Sequence, residues 1–347
     1  MQKINNSQST FINLIRGVSA QLVLIGHLYG FYFSGQSIFI QNFGVVIFFI
    51  LSGHLVTLSA LRVIQNDVFN FKKFFIDRFS RIYAGLIPAI FLCVIIDVCN
   101  VIFISPNESL LGLENLNLKA FFVSIVNIGG LPNPIRIGEI IEPFGSMRPL
   151  WSVALEWWIY IFIGFIFLIF KNKKFVGISL ITAGIIVSLL QSIFDLDHIR
   201  YFIVNAWFIA SGIVLLKAKI FKNKLFLFVP LTYLIFIIFN KNIIYFYEPS
   251  VVISLILIYF SSFESVKNFL IGDKIKILIN TLSSYSYSLY LIHYSIIVLA
   301  KPLIKIDGMI ECLLIFFLCN LFAYIFYICF ESRYIYLRNY LSTKFVK

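Results

Sequence analysis

The sequence predicts an all-α integral membrane protein, a polytopic bundle of about ten transmembrane helices with both termini in the cytoplasm. Three observations lead there. Hydrophobic residues make up 60% of the 347 residues and charged residues only 13%, against about 45–50% and about 25% in ordinary soluble domains. Apolar runs of spanning length, roughly 20 residues, recur along the chain. The basic residues between those runs fall almost entirely in alternate loops.

The ten predicted spans are 11–33, 38–61, 82–104, 150–170, 175–194, 201–216, 225–239, 243–262, 281–300 and 309–331. The sixth and seventh are short, as tilted or reshuffled segments would be. The longest loop, 105–149, contains Pro106, Pro132, Pro134, Pro143 and Pro149. Its one apolar piece, 120–128, is too short to span and reads as interfacial. One transmembrane domain over 1–347 is expected, with no repeat and no separate soluble domain. The N-terminus lacks a basic n-region, so the first apolar segment reads as retained. The five cysteines all lie in apolar stretches without a C-x-x-C pair. They read as buried structural thiols, and no metal site is expected.

Charge fixes the orientation. The net charge of +12 invites a nucleic-acid reading, which a membrane topology can replace. With the N-terminus inside, 20 Lys and Arg lie in cytoplasmic segments and 7 in external ones. Every internal loop is basic, as the positive-inside rule requires. The excess charge is thus accounted for by topology, and no nucleic-acid partner is expected.

Ionisable side chains inside spans are costly and mark functional candidates. The first span holds Arg16 and His27, eleven positions apart. At 3.6 residues per turn they share one helix face, about 16 Å apart. Arg16 lies near the cytoplasmic end, where it can also snorkel to the surface. His27 is too deep for that, and reads equally as a buried structural histidine or a functional one. The fourth span opens Arg148-Pro149-Leu150-Trp151-Ser152 and places Glu156 six residues in. His27 and Glu156 are therefore at similar depth, which allows either a His–carboxylate acid–base pair or a structural polar clasp. Arg78 and Arg81 form an i, i+3 pair at the cytoplasmic surface before the third span. Paired guanidinium groups suit phosphate, and ordinary flanking charge is the competing reading. His54, His293, Asp97, Glu311 and Glu331 are further intrusions, each singly more typical of packing or helix ends.

Taken in order, these motifs resemble the acyltransferase 3 family, membrane enzymes that O-acylate bacterial surface glycans. Ile12-Asn13-Leu14-Ile15-Arg16-Gly17 followed by His27 is similar to the family's opening, and Phe48-Phe49-Ile50-Leu51-Ser52-Gly53 to its second-span signature. Arg78-Phe79-Ser80-Arg81 matches its R-x-x-R. Pro149-Leu150-Trp151-Ser152-Val153-Ala154-Leu155-Glu156 resembles its PLWS…E segment, and the run Tyr285 to His293 its SYSLYLxH segment. Glu331 stands where the family often ends its last span with an acid. The chain departs at Asn13, commonly Asp, at His54, at Trp157-Trp158, and in lacking a proline soon after Glu331. These departures weaken any transfer of acceptor specificity.

The resemblance implies an O-acyltransferase of the bacterial plasma (inner) membrane, multi-pass, with acyl-CoA, most often acetyl-CoA, as cytoplasmic donor. It implies that Arg78 and Arg81 hold the donor phosphates, that Arg16 guides the arm, and that His27 and Glu156 are catalytic. Ser152, Trp151, Arg148 and His293 belong to the same motifs and are further candidates. The acceptor is expected to be a hydroxyl of a surface polysaccharide or lipid-linked glycan outside, near the 105–149 loop. A transporter or flippase for lipid-linked glycans and a membrane glycan polymerase are the competing classes. Paired arginines at one cytoplasmic mouth fit neither well. Reporter fusions after Lys73 and after Lys347 are expected to read as cytoplasmic, and an external signal at either would overturn the topology.

Overall fold

The computed structural model describes residues 6–33, 40–65, 68–103, 115–133, 139–170, scattered positions within 175–186, 198–215, 272–304 and 308–346. The predicted spans 225–239 and 243–262 lie outside the described residues, as does most of 175–194. The elements are α1 (Asn6–Tyr32), α2 (Ile40–Arg62), β1 (Ile64–Gln65), β2 (Val68–Phe69), α3 (Phe71–Phe103), α4 (Leu118–Val126), α5 (Leu150–Ile169) and α6 (His198–Leu215). They continue with α7 (Asp273–Ser284), α8 (Ser286–Leu303), α9 (Gly308–Cys329), a 3₁₀ turn (Glu331–Arg333) and α10 (Tyr334–Phe345). Among the described residues five helical stretches are long and apolar enough to cross a membrane: α1, α2, α3, α5 and the stretch Gly308–Phe345.

The residues form two compact units. One comprises Met1–Leu22, Phe39–Phe74 and Phe162–Ser283, the other Val23–Ile38, Phe75–Ile161 and Ser284–Lys347. In the first unit α2 packs along α6. The Thr57 and Ser211 hydroxyls hydrogen-bond there, and Trp207 Nε1 donates to Ser52 Oγ at 3.1 Å. Ile12 and Ile15 of α1 join Ile47 and Leu51 of α2 in one apolar cluster. Asn13 donates to Asn280 Oδ1 at 3.0 Å. The amide that departs from the family pattern thus ties α1 to α7. A two-residue antiparallel hairpin, Ile64 opposite Phe69, links α2 to α3.

In the second unit α8 packs along α9. Ser286, Ser288, Tyr290, His293 and Ser295 of α8 are all buried. A helix with polar residues on several faces is stable in a membrane bundle when neighbouring helices cover it. The predicted span 281–300 is in fact two helices meeting at Tyr285. The break has a physical cause. Glu331, fully buried after the end of α9, accepts hydrogen bonds from Ser288 N at 3.0 Å and Ser288 Oγ at 2.6 Å. A carboxylate on the first-turn amide of a helix satisfies an otherwise orphaned donor and complements the helix dipole. Arg81 of α3 completes the arrangement, its Nη1 at 3.0 Å from Glu331 Oε1.

The loop before α5 is held from both sides. Asn117 caps α4 by accepting Ala120 N–H at 2.9 Å, and Asn127 ends it in the left-handed conformation at φ 59°. Leu118, Phe122 and Val126, four residues apart, stay exposed while Ala120 and Ser124 are buried. That stripe is the amphipathic pattern of an interfacial helix. Ser146 N–H donates to Asp97 Oδ2 at 2.9 Å, which pins the loop to α3. At Gly130, φ is +80° and an added Cβ would sit 2.1 Å from Trp151 Cβ, so only glycine lets Trp151 close on the loop.

The Arg81–Glu331 pair yields a stability prediction. Removing one partner of a buried ion pair strands the other charge and typically costs about 3–5 kcal/mol. Arg81→Ala is expected near the low end, since the Arg81 side chain is 31% exposed while Glu331 is 0% exposed. Thermal unfolding of the detergent-purified protein checks this, with Arg78→Ala as the comparison that leaves Glu331 paired.

Candidate active site

The polar residues of the second unit fall into two groups joined along α5. At one end the half-buried His27 of α1 faces two rings of α8. Its ring centroid lies 5.2 Å from that of His293, tilted by 40°, and 5.3 Å from that of Tyr294, edge to face. His293 itself is 1% exposed. The Tyr290 ring is 5.9 Å from His293.

Tyr290 is clasped by the start of α5. Its hydroxyl donates to the Pro149 carbonyl at 3.1 Å and lies 2.5 Å from Ser152 Oγ. One turn further along α5, Glu156 accepts a hydrogen bond from the Tyr160 hydroxyl, a further turn on. Ser152, Glu156 and Tyr160 thus stand at i, i+4 and i+8 on one face. The Arg78 guanidinium lies 5.8 Å from the Tyr160 ring centroid. Arg81 sits 4.9 Å from the Tyr334 ring centroid and 5.9 Å from that of Tyr287. Cation–π contacts of this kind hold a guanidinium without consuming its N–H donors.

The predicted residues are therefore distributed as follows. His27 and His293 come together, and Ser152 reaches the same α8 turn through Tyr290. Among the described residues no hydrogen bond or ion pair joins His27 to Glu156; Glu156 holds Tyr160. Arg78 and Arg81 share the other end of the α5 face. Arg16 is half-buried in the part of α1 that belongs to the first unit. Arg148 is exposed, and Trp151 packs on Gly130. Among the described residues no cluster of three or more His, Cys, Asp or Glu side chains has the spacing of a metal site.

Sequence reasoning did not single out Tyr160, Tyr287 or Tyr290. The i, i+4 spacing of Tyr160 from Glu156 was the available signal for the first. Tyr287 and Tyr290 lie within the run Tyr285 to His293 that carries the resemblance, which was the available signal for them; their partners are set only in space.

The described residues thus form a polar ladder between an arginine pair and a histidine. The acyltransferase domain family profile matches residues 9–332, nearly the whole chain. The chain belongs to this acyltransferase family. Over 161 residues this acyltransferase is 31% identical to the peptidoglycan O-acetyltransferase OatA of Listeria monocytogenes serovar 1/2a. That match covers 40% of this chain and 23% of the relative, so the chain spans less than a quarter of that protein's length. No solved structure matches the acyltransferase. The family match takes in His27, Arg78, Arg81, Glu156, His293 and Glu331.

Proposed function

We propose that this protein transfers an acyl group, acetyl in the first instance, from cytoplasmic acyl-CoA to a hydroxyl of a cell-surface or lipid-linked glycan. It would do so as a multi-pass protein of the plasma membrane with about ten spans and both termini inside. The observation that carries the reading is the polar face of α5, running from Tyr160 beside Arg78, through Glu156, to Ser152 beside Tyr290. It offers an extended thioester arm a route from a phosphate grip to the imidazole pair. Its eight-residue length corresponds to about 12 Å of rise. Membership of an acyltransferase family and partial similarity to a peptidoglycan O-acetyltransferase support the transfer reaction and the glycan class of acceptor.

In this reading Arg78 and the uncommitted N–H groups of Arg81 hold the donor phosphates, while Arg16 steers the arm along α1. His27 accepts the proton of the acceptor hydroxyl as its oxygen bonds to the acyl carbon. The thioester C–S bond breaks, and the leaving thiolate recovers that proton from His27. A sugar hydroxyl is a weak nucleophile at neutral pH, and an imidazole is the side chain suited to this task. Glu156 supplies the negative charge beside the path, held in place by Tyr160, and favours the cationic imidazolium state as it develops. Ser152 and Trp151 fix the start of α5 against α8 and the loop, and Arg148 stands at the exposed end of the same motif. Release of free thiol from acetyl-CoA by the purified protein, dependent on added glycan, tests the reaction. A purified, folded protein that releases none with any hydroxyl acceptor would refute it.

Two variants separate the ends of the site. Arg78→Ala is expected to weaken acetyl-CoA binding by about 1.5–3 kcal/mol, the worth of hydrogen bonds to a charged group. Titration of donor binding checks it, and Arg78→Lys should recover only part because lysine lacks the bidentate fork. His27→Ala is expected to insert normally and bind donor, yet lose about 10²–10⁴-fold in kcat, the span of general-base assistance. Wild-type turnover in a well-folded His27→Ala protein would remove His27 from the chemistry.

A further inference from the structure

His293 offers a lone pair that the fold has prepared and left unused. Its Nδ1 lies 2.9 Å from the Leu289 carbonyl and 2.9 Å from the Tyr290 carbonyl. Both neighbours are acceptors only, so Nδ1 must be the nitrogen that carries the proton. The neutral ring then presents Nε2 as a bare acceptor. Nε2 is buried and has no hydrogen-bond partner among the described residues. A buried nitrogen without a partner is costly, and such a group in a folded protein points to an interaction completed in another state.

The ring across from it is His27, at 5.2 Å between centroids. A ring nitrogen lies about 1.1 Å from its centroid, so two imidazoles joined by an N–H···N bond of about 3 Å stand about 5.2 Å apart. The separation is that of a bonded pair, yet His293 Nε2 has no hydrogen-bond partner among the described residues. Rotation of the half-buried His27 ring about its terminal torsion, a broad and shallow coordinate, supplies the missing alignment.

We infer that His293 is a positioning residue for the reaction proposed above, its Nε2 accepting an N–H from His27. The consequence follows from the two-nitrogen chemistry of imidazole. With one His27 nitrogen donating to His293, the other must be the lone pair, which is the tautomer that takes a proton from the acceptor hydroxyl. His293 fills the place that a carboxylate holds in a His–carboxylate pair, but as a neutral group. The resting site then buries no extra charge at membrane depth, where an ionised partner costs several kcal/mol. Once the hydroxyl proton reaches His27, the imidazolium donates a charge-assisted hydrogen bond to Nε2, so the pair strengthens as the reaction advances. Tyr290 holds the turn that supplies both carbonyls, anchored through Pro149 and Ser152.

The inference rests on the proposed role of His27, and the experiment separates the two. The chain has four histidines, His27, His54, His198 and His293, so ¹⁵N-histidine labelling of the purified full-length protein gives four ring systems. Single substitutions assign them. His293 is expected as the Nδ1–H tautomer, with an Nε2 resonance that moves when His27 is replaced by Ala. In kinetics, His293→Leu should lower kcat by about 10–10²-fold with KM for acetyl-CoA nearly unchanged. His293→Gln, whose side-chain carbonyl can reach the Nε2 position, should recover at least several-fold of that loss. If His293→Leu fails to fold, the wild-type spectrum and the Gln variant decide the matter. An Nε2–H tautomer, an Nε2 signal indifferent to His27→Ala, or full kcat in His293→Leu would overturn the pairing. Undiminished turnover in His27→Ala would instead overturn the base assignment, and the spectrum would still report whether the two rings are bonded.

Discussion

A carboxylate without solvent organises the second unit. Glu331 has no exposed surface, and burying an isolated charge at this depth would be prohibitive. It persists because three donors converge on it: the Arg81 guanidinium, the Ser288 amide and the Ser288 hydroxyl. Those donors come from α3 and α8, while Glu331 itself follows α9. One side chain therefore fixes where α8 begins and which way its face turns. Once α8 is registered, Tyr290 and His293 follow about one and two turns from its start along the same helix. The distant geometry around His27 depends on this ion pair through a rigid helix and not through direct contact.

The same logic explains why other intramembrane polar residues are tolerated. Asp97 takes the Ser146 amide and holds the loop before α5. Glu311 accepts the Tyr32 hydroxyl at 2.5 Å, and Lys301 donates to the Phe31 carbonyl at 2.7 Å over the Phe31 and Tyr32 rings. These contacts close the ends of α1, α8 and α9 together. In an apolar surrounding each such bond has no water to compete with it, and leaving it unmade would cost more than in a soluble core. His27, Arg78 and Glu156 are only half-buried, unlike Asp97 and Glu311. They are held in position while remaining accessible.

Arg81 and Arg78 illustrate how one motif divides into two roles. They are three residues apart on α3, yet Arg81 is committed to Glu331 while Arg78 stands beside the ring of Tyr160. Guanidinium carries five N–H donors in a plane, so a structural ion pair and a ligand contact are compatible in one side chain.

The sequence by itself determined the membrane class, because composition and span-length apolar runs admit no other solvent for this chain. It determined the helix carrying each candidate residue, since Arg16 and His27, Arg78 and Arg81, and Ser152 and Glu156 are spacings within single helices. It also placed the short apolar piece 120–128 as something other than a span, and α4, which overlaps it, bears an exposed apolar stripe. Those are local properties, fixed by periodicity and hydropathy. The tertiary structure decided the partners. Depth alone made His27 and Glu156 a plausible pair, but depth leaves the azimuth of each helix undetermined, and packing turned His27 toward His293 and Glu156 toward Tyr160. Glu331 looked like a residue at a helix end, and only the convergence of α3 and α8 made it the fixed point of the unit. Contacts between helices far apart in sequence depend on helix rotation and register, which no single helix encodes.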